Sequence, residues 1–68
     1  MSIGQNIKKY RKEKGYTQRE LADLIGVSVQ AVSKWENGSS DPTTGNLLAL
    51  AKLYGVSAEE LLRAAAEE

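Results

Sequence analysis

Along this 68-residue chain, apolar side chains recur every three or four positions and do not settle into strict alternation, which is the pattern of amphipathic helices rather than strands. Ile3, Ile7 and Tyr10 form the first stripe. Ser2-x-x-Gln5 has capping-box spacing, so a helix is expected from about Ile3 to Lys14, ended by Gly15. Thr17-x-x-Glu20 opens a second helix, Gln18 to about Ile25, with Leu21, Ala22 and Ile25 inward. Gly26 turns the chain, Val27 enters the core, and Ser28 caps a third helix that Asn37-Gly38 stops. The loop from Ser39 to Thr44 holds the only proline. Leu47, Leu50, Ala51 and Tyr54 then mark a fourth helix, closed by Gly55. Ser57-x-x-Glu60 is a further capping box, and Ala58, Leu61, Leu62 and Ala65 give a fifth helix its inner face before an Ala/Glu tail. The expected architecture is all-α: a five-helix bundle in a single domain over residues 1–68.

Composition narrows the function. A chain this short buries only about 60% of the surface it exposes when unfolded, so its core must be small and well packed. With no Cys and no His it has no disulfide, no thiol nucleophile and none of the usual zinc ligands. No Gly-rich phosphate cradle or paired carboxylates suggest a reaction. No enzyme activity, metal or cofactor is therefore expected. No segment approaches the roughly 18 apolar residues of a membrane span, and no leader pattern opens the chain, so a soluble cytoplasmic protein is expected.

The formal net charge is zero, but the charges are segregated. Up to Trp35 seven basic side chains face three acidic ones, and from Glu36 onward two face six. Such a chain can offer a positive face to a polyanion while remaining neutral, although two solvated helix faces are the plainer reading.

The third helix has the narrowest apolar stripe, Val32 and Trp35. Three helix starts pair a hydroxyl cap with Gln or Glu three residues on, whereas Ser28 is followed there by Ala31, which would leave the positive helix end to a phosphate. Its outward residues, Val29, Gln30, Ser33, Lys34 and Asn37, are short or flexible and mostly hydrogen-bonding. Gln suits adenine N6 and N7, Lys suits guanine O6 and N7, Ser serves either, and Val can touch a thymine methyl. Solvation alone would also account for such a face.

The run TQRELADLIGVSVQAVSKWENGSSDP, Thr17 to Pro42, resembles the Cro/repressor-type helix-turn-helix family, also called the xenobiotic-response-element type, and the flanks IGQNIKKYRKEKG and LLALAKLYGVSAEELL fit as well. The resemblance implies sequence-specific binding of double-stranded DNA in transcriptional regulation. A recognition helix, about residues 28–37, would lie in the major groove, the docking geometry described for phage repressors. By the same resemblance Ser28, Val29, Gln30, Ser33 and Lys34 contact bases, Asn37, Ser39 and Ser40 contact backbone phosphates, and Gln18 bonds a phosphate or supports the base-reading residues. Arg11 and Glu36 match positions that often pair, which would tie the first helix to the third; phosphate binding by Arg11 is the other reading. Trp35 is assigned to the core, with its indole N–H within reach of a phosphate as the alternative. A homodimer on a palindromic site and a monomer both stay open. A protein-interaction module, antitoxin-like or regulatory, is the competing function. The plain RAAAEE ending is also compatible with a designed domain on this scaffold.

Overall fold

The computed structural model describes residues 3–66, with side chains through Arg63. Five helices follow one another: α1 (Ile3–Lys14), α2 (Gln18–Ile25), α3 (Val29–Asn37), α4 (Thr44–Tyr54) and α5 (Ala58–Ala66). Thr44 belongs to α4 rather than to the preceding loop, because Thr43 is the cap: its hydroxyl accepts from the Asn46 N–H at 3.2 Å. Ser2, the expected cap of α1, lies outside the described residues, as does the Ala65 side chain. None of the described helices is long and apolar enough to cross a membrane.

Each helix sends one side chain to the centre. Ile7, Leu21, Val32, Leu50 and Leu61 have no exposed surface, and Ala22, Trp35, Ala51 and Tyr54 complete the core. α1 lies across both α3 and α5, and α2 packs on α3. Ile25, Val27 and Leu47 are only half-buried against this cluster. Leu62, expected on the inner face of α5, is 48% exposed. Leu61 takes the inward position, and the next residue of a helix is turned by about 100° from it, following from 3.6 residues per turn.

Besides Arg11, two buried residues of α1 carry no hydrophobic signal. Gly4 is buried where α1 crosses α3, and a Cβ placed on it would sit 1.8 Å from the Trp35 carbonyl oxygen. The two backbones therefore touch. Asn6 is also buried, and its Nδ2 donates to the Leu61 carbonyl of α5. From α4 the Tyr54 hydroxyl donates to the Ile7 carbonyl at 2.9 Å. These bonds satisfy polar groups that would each cost about 1–3 kcal/mol if buried unpaired.

Two outcomes follow. In an open helix interior Gly→Ala gains up to about 1 kcal/mol, and Gly45, near the start of α4 with only the Thr43 hydroxyl 4.0 Å from its added Cβ, should behave so. Gly4→Ala should have the opposite sign, costing about 1–3 kcal/mol or more by overpacking. Urea midpoints of both variants check this, and a stabilised Gly4→Ala would contradict the close helix crossing. The second outcome concerns pH. Burial, and after it the Glu36 carboxylate, raise the Tyr54 phenol well above its ordinary value. Tyr10 is raised in the same direction, first by burial and then by Glu60. The folded state thus prefers the protonated phenol. The contribution is fully present below the unfolded value of about 10 and is lost as pH rises towards the folded value. Thermal midpoints should fall above that pH, and Tyr54→Phe should flatten the fall.

Candidate nucleic-acid interface

α2 and α3 are joined by a short turn whose geometry the sequence dictates. Thr17 and Glu20 form a reciprocal cap: the Thr17 hydroxyl accepts from the Glu20 N–H at 3.0 Å, and the Thr17 N–H donates to the Glu20 carboxylate at 2.8 Å. α2 ends at Gly26 in the left-handed region, φ 76°, where a side chain would be strained. The Val27 N–H reaches back to the Ala22 carbonyl, and the Ser28 hydroxyl accepts from the Ala31 N–H at 3.1 Å to start α3.

On α3, Val32 and Trp35 face the core, the latter only 4% exposed. Gln30, Ser33, Lys34 and Asn37 stand at i, i+3, i+4 and i+7, so they form one continuous ridge on the opposite side. Gln30, Lys34 and Asn37 are exposed and Ser33 is half-buried at the edge. Ser28 is exposed at the head of the helix. Val29 differs from the expected outward position: it is half-buried and packs against the core.

Asn37, Ser39 and Ser40 close the helix. The backbone N–H groups of Gly38, Ser39 and Ser40 are all engaged by the Lys34 carbonyl, with Gly38 also reaching Trp35. The Asn37 side-chain oxygen accepts from the Ser39 N–H at 2.9 Å. What this turn offers an external anion is thus the Asn37 Nδ2 and the two serine hydroxyls, not backbone donors.

Behind the ridge, Arg11 of α1 meets Glu36 of α3 in a bidentate pair, Nε to Oε2 at 2.7 Å and Nη2 to Oε1 at 3.1 Å. The side chains are 11% and 4% exposed. The third guanidinium nitrogen donates to the Tyr16 carbonyl at 2.8 Å. Gln18, half-buried at the start of α2, donates its Nε2 to Glu36 Oε1 at 3.0 Å. Every arm of Arg11 is used within the fold, and its proton is held more firmly than usual by the Glu36 hydrogen bonds, against a smaller opposing effect of burial. The Gln18–Glu36 bond links residues 18 apart in sequence, and nothing in the local pattern announces it.

The start of α3 is less singular than its sequence suggests. α3 has no acidic residue in its first turn, but neither have α1 and α4. Among the described residues only Thr17–Glu20 closes both halves of a box. At Ser57 the hydroxyl accepts from the Glu60 N–H, while the Glu60 carboxylate lies 3.5 Å from the Tyr10 hydroxyl on α1. Up to Trp35 the exposed cations are Lys34 on the ridge itself, Arg19 on α2 and Lys8, Lys9, Lys12 and Lys14 on α1. Among the described residues no group of three or more acidic, His or Cys side chains is placed to hold a metal.

Residues 7–61 match the helix-turn-helix family. The chain is 40% identical over 62 residues to the transcriptional regulator ImmR of Bacillus subtilis, covering 91% of this chain and 49% of that protein. It spans about half the length of the first curated relatives it matches. Among solved structures it superposes on the c2 repressor of Salmonella phage P22 in complex with a synthetic operator, with a TM-score of 0.84, 36% identity, and 90% and 92% of the two chains covered. It superposes equally on SinR of Bacillus subtilis, a master regulator for biofilm formation, in complex with DNA, with a TM-score of 0.82, 41% identity and 88% and 97% coverage.

Arg11→Ala and Glu36→Ala should each cost about 3–5 kcal/mol, because truncating one partner strands a shielded charge. That is comparable to the whole stability of a domain this small, so the comparison belongs in an osmolyte that raises all the stabilities together. There the double variant should lose clearly less than the sum of the single losses. Additive losses would show that the two groups do not interact energetically.

Proposed function

Since the chain belongs to the helix-turn-helix family of transcriptional regulators, we propose that it binds double-stranded DNA sequence-specifically, with α3 in the major groove, as the DNA-binding unit of a regulator. The observation that carries this reading is the polar ridge of Gln30, Ser33, Lys34 and Asn37 on a helix whose other face is committed to the core. A solvated helix has no need of side chains that match base edges, whereas a groove-reading helix does. Relatives bearing the same fold are regulators, and two structural neighbours are complexes with DNA.

In this reading Gln30 and Lys34 choose the sequence from the exposed ridge, with Ser33 and Ser28 at its edge and head. Val29 contributes a methyl from a half-buried position. Gln18, Asn37, Ser39 and Ser40 hold phosphates and set the register of the helix on the duplex. Arg11 and Glu36 act from behind as a structural pair. No catalytic step belongs to this role, and a natural protein with it would act in the cytoplasm, on bacterial or phage DNA. A two-fold arrangement would read half-sites about 34 Å apart, and a palindromic consensus selected from random duplexes would identify it.

The experiment is affinity for a panel of single-base changes in the selected site at one fixed salt concentration. Gln30→Ala and Lys34→Ala should each cost about 1–3 kcal/mol on the preferred site and relax the preference at one or two base pairs. Gln18→Ala should weaken all sites nearly equally. Salt provides the second measure: neutralising about four phosphates gives a log–log slope near −3.6. An even loss across the panel for the Gln30 and Lys34 variants would remove base reading from α3, and a flat salt response would favour a protein partner instead.

A further inference from the structure

The role of Glu36 extends beyond the ion pair. Its Oε1 accepts twice, from Arg11 Nη2 at 3.1 Å and from Gln18 Nε2 at 3.0 Å, while Oε2 is taken by Arg11 Nε. A glutamine amide has a donor end and an acceptor end of nearly the same size. Beside an ionised carboxylate only one end is tolerated, because turning Gln18 Oε1 towards Glu36 would set two acceptors against each other. Phosphate oxygens are also acceptors only, so a Gln can hold one through its nitrogen and not through its oxygen. The nitrogen carries two hydrogens. One goes to Glu36, and the second is left for an external acceptor.

Resting on the DNA-binding reading above, we propose that Glu36 is a positioning residue for recognition: it fixes the Gln18 amide in the rotamer whose remaining N–H meets a DNA phosphate. Arg11 makes this possible by balancing the carboxylate, which otherwise would repel the same phosphate. The first turn of α2 and the last turn of α3 then reach the duplex as one set piece, because the donor on α2 is oriented by an acceptor on α3. Without Glu36 the amide is free to present either end and must be ordered at the moment of binding.

The test is a double-mutant cycle on a random-sequence duplex, adequate because a phosphate contact carries no sequence information. Glu36→Gln and Gln18→Ala are measured singly and together at fixed salt, with circular dichroism confirming that each variant is folded. Removing a negative charge strengthens binding by a similar factor in both backgrounds, so the readout is the ratio of the Glu36→Gln effects with and without Gln18. That ratio should show a loss of roughly two- to tenfold attributable to the amide, the worth of one hydrogen bond. Should Glu36→Gln fail to fold, Glu36→Asp keeps the charge beside Arg11 but retracts the oxygens from Gln18, and it should give the same coupling. In the free protein, the Gln18 Nε2 proton bonded to Glu36 should resonate downfield of an ordinary glutamine amide proton and move back towards that position in Glu36→Gln, a signature that lost stability alone does not produce. A ratio of one, or Nε2 resonances unmoved by the substitution, overturns the positioning role. A wild-type protein that binds no duplex overturns the DNA-binding reading itself, so the two failures are distinguishable.

Discussion

The contact between Arg11 and Glu36 organises this protein more than any apolar pair does. It joins α1 to α3 across 25 residues of sequence, and the same guanidinium holds the Tyr16 carbonyl at the entrance to α2. One side chain thus fixes three elements. A second grip joins the same two helices, where Gly4 lets the α1 backbone touch the Trp35 carbonyl. Hydrophobic contact is non-directional; a bidentate pair and a backbone contact are not. A shielded ion pair is often no more stabilising than apolar residues of the same shape, so its value here is geometric: it sets the rotation of α3 about its own axis.

That rotation decides what the helix shows to solvent. With Val32 and Trp35 inward and Glu36 turned to Arg11, the ridge from Gln30 to Asn37 has no other place to go. The flanking amides are constrained in a related way. Asn37 has its oxygen occupied by the Ser39 N–H, and Gln18 has one nitrogen hydrogen occupied by Glu36, so each retains N–H groups for an acceptor outside the fold. For Asn37 the internal bond occupies the acceptor and leaves both amide donors, whereas for Gln18 it occupies one donor and so fixes the direction of the other.

The helices were legible because their ends are written locally. Thr17 with Glu20, the cap at Ser28 and the left-handed glycines that close α2, α3 and α4 are signals within four residues of the boundary they mark. The core was legible where an apolar stripe has a single centre, as at Ile7 or Val32. It was ambiguous where two leucines adjoin: Leu61 and Leu62 are equal in hydrophobicity, and only the position of α1 makes one of them central. Gly4 and Asn6 left no hydrophobic trace. A glycine inside a helix, with its cost of up to about 1 kcal/mol, was the available signal that a backbone had to approach there. The ridge on α3 was readable from spacing, whereas the Gln18–Glu36 bond arises only once α2 and α3 are packed.

On a helix proposed to meet a polyanion an acidic side chain looks unfavourable, and the magnitudes say how it would be tolerated. Two unit charges 4 Å apart interact by about 1 kcal/mol in water and about 4 kcal/mol at the effective dielectric of a protein surface. An unpaired Glu36 at the edge of the duplex would therefore cancel the benefit of a good phosphate contact. Paired with Arg11 at 2.7 Å, it would present a duplex with a small dipole instead of a net charge, and the positive end of that dipole is anchored on the most basic helix of the chain. A neutral residue at position 36 would avoid the repulsion but would leave Arg11 without its partner and the Gln18 amide without a fixed direction. The electrostatic cost of the carboxylate is met inside the fold by Arg11, and on the proposed reading its hydrogen-bonding direction is what reaches the surface through Gln18.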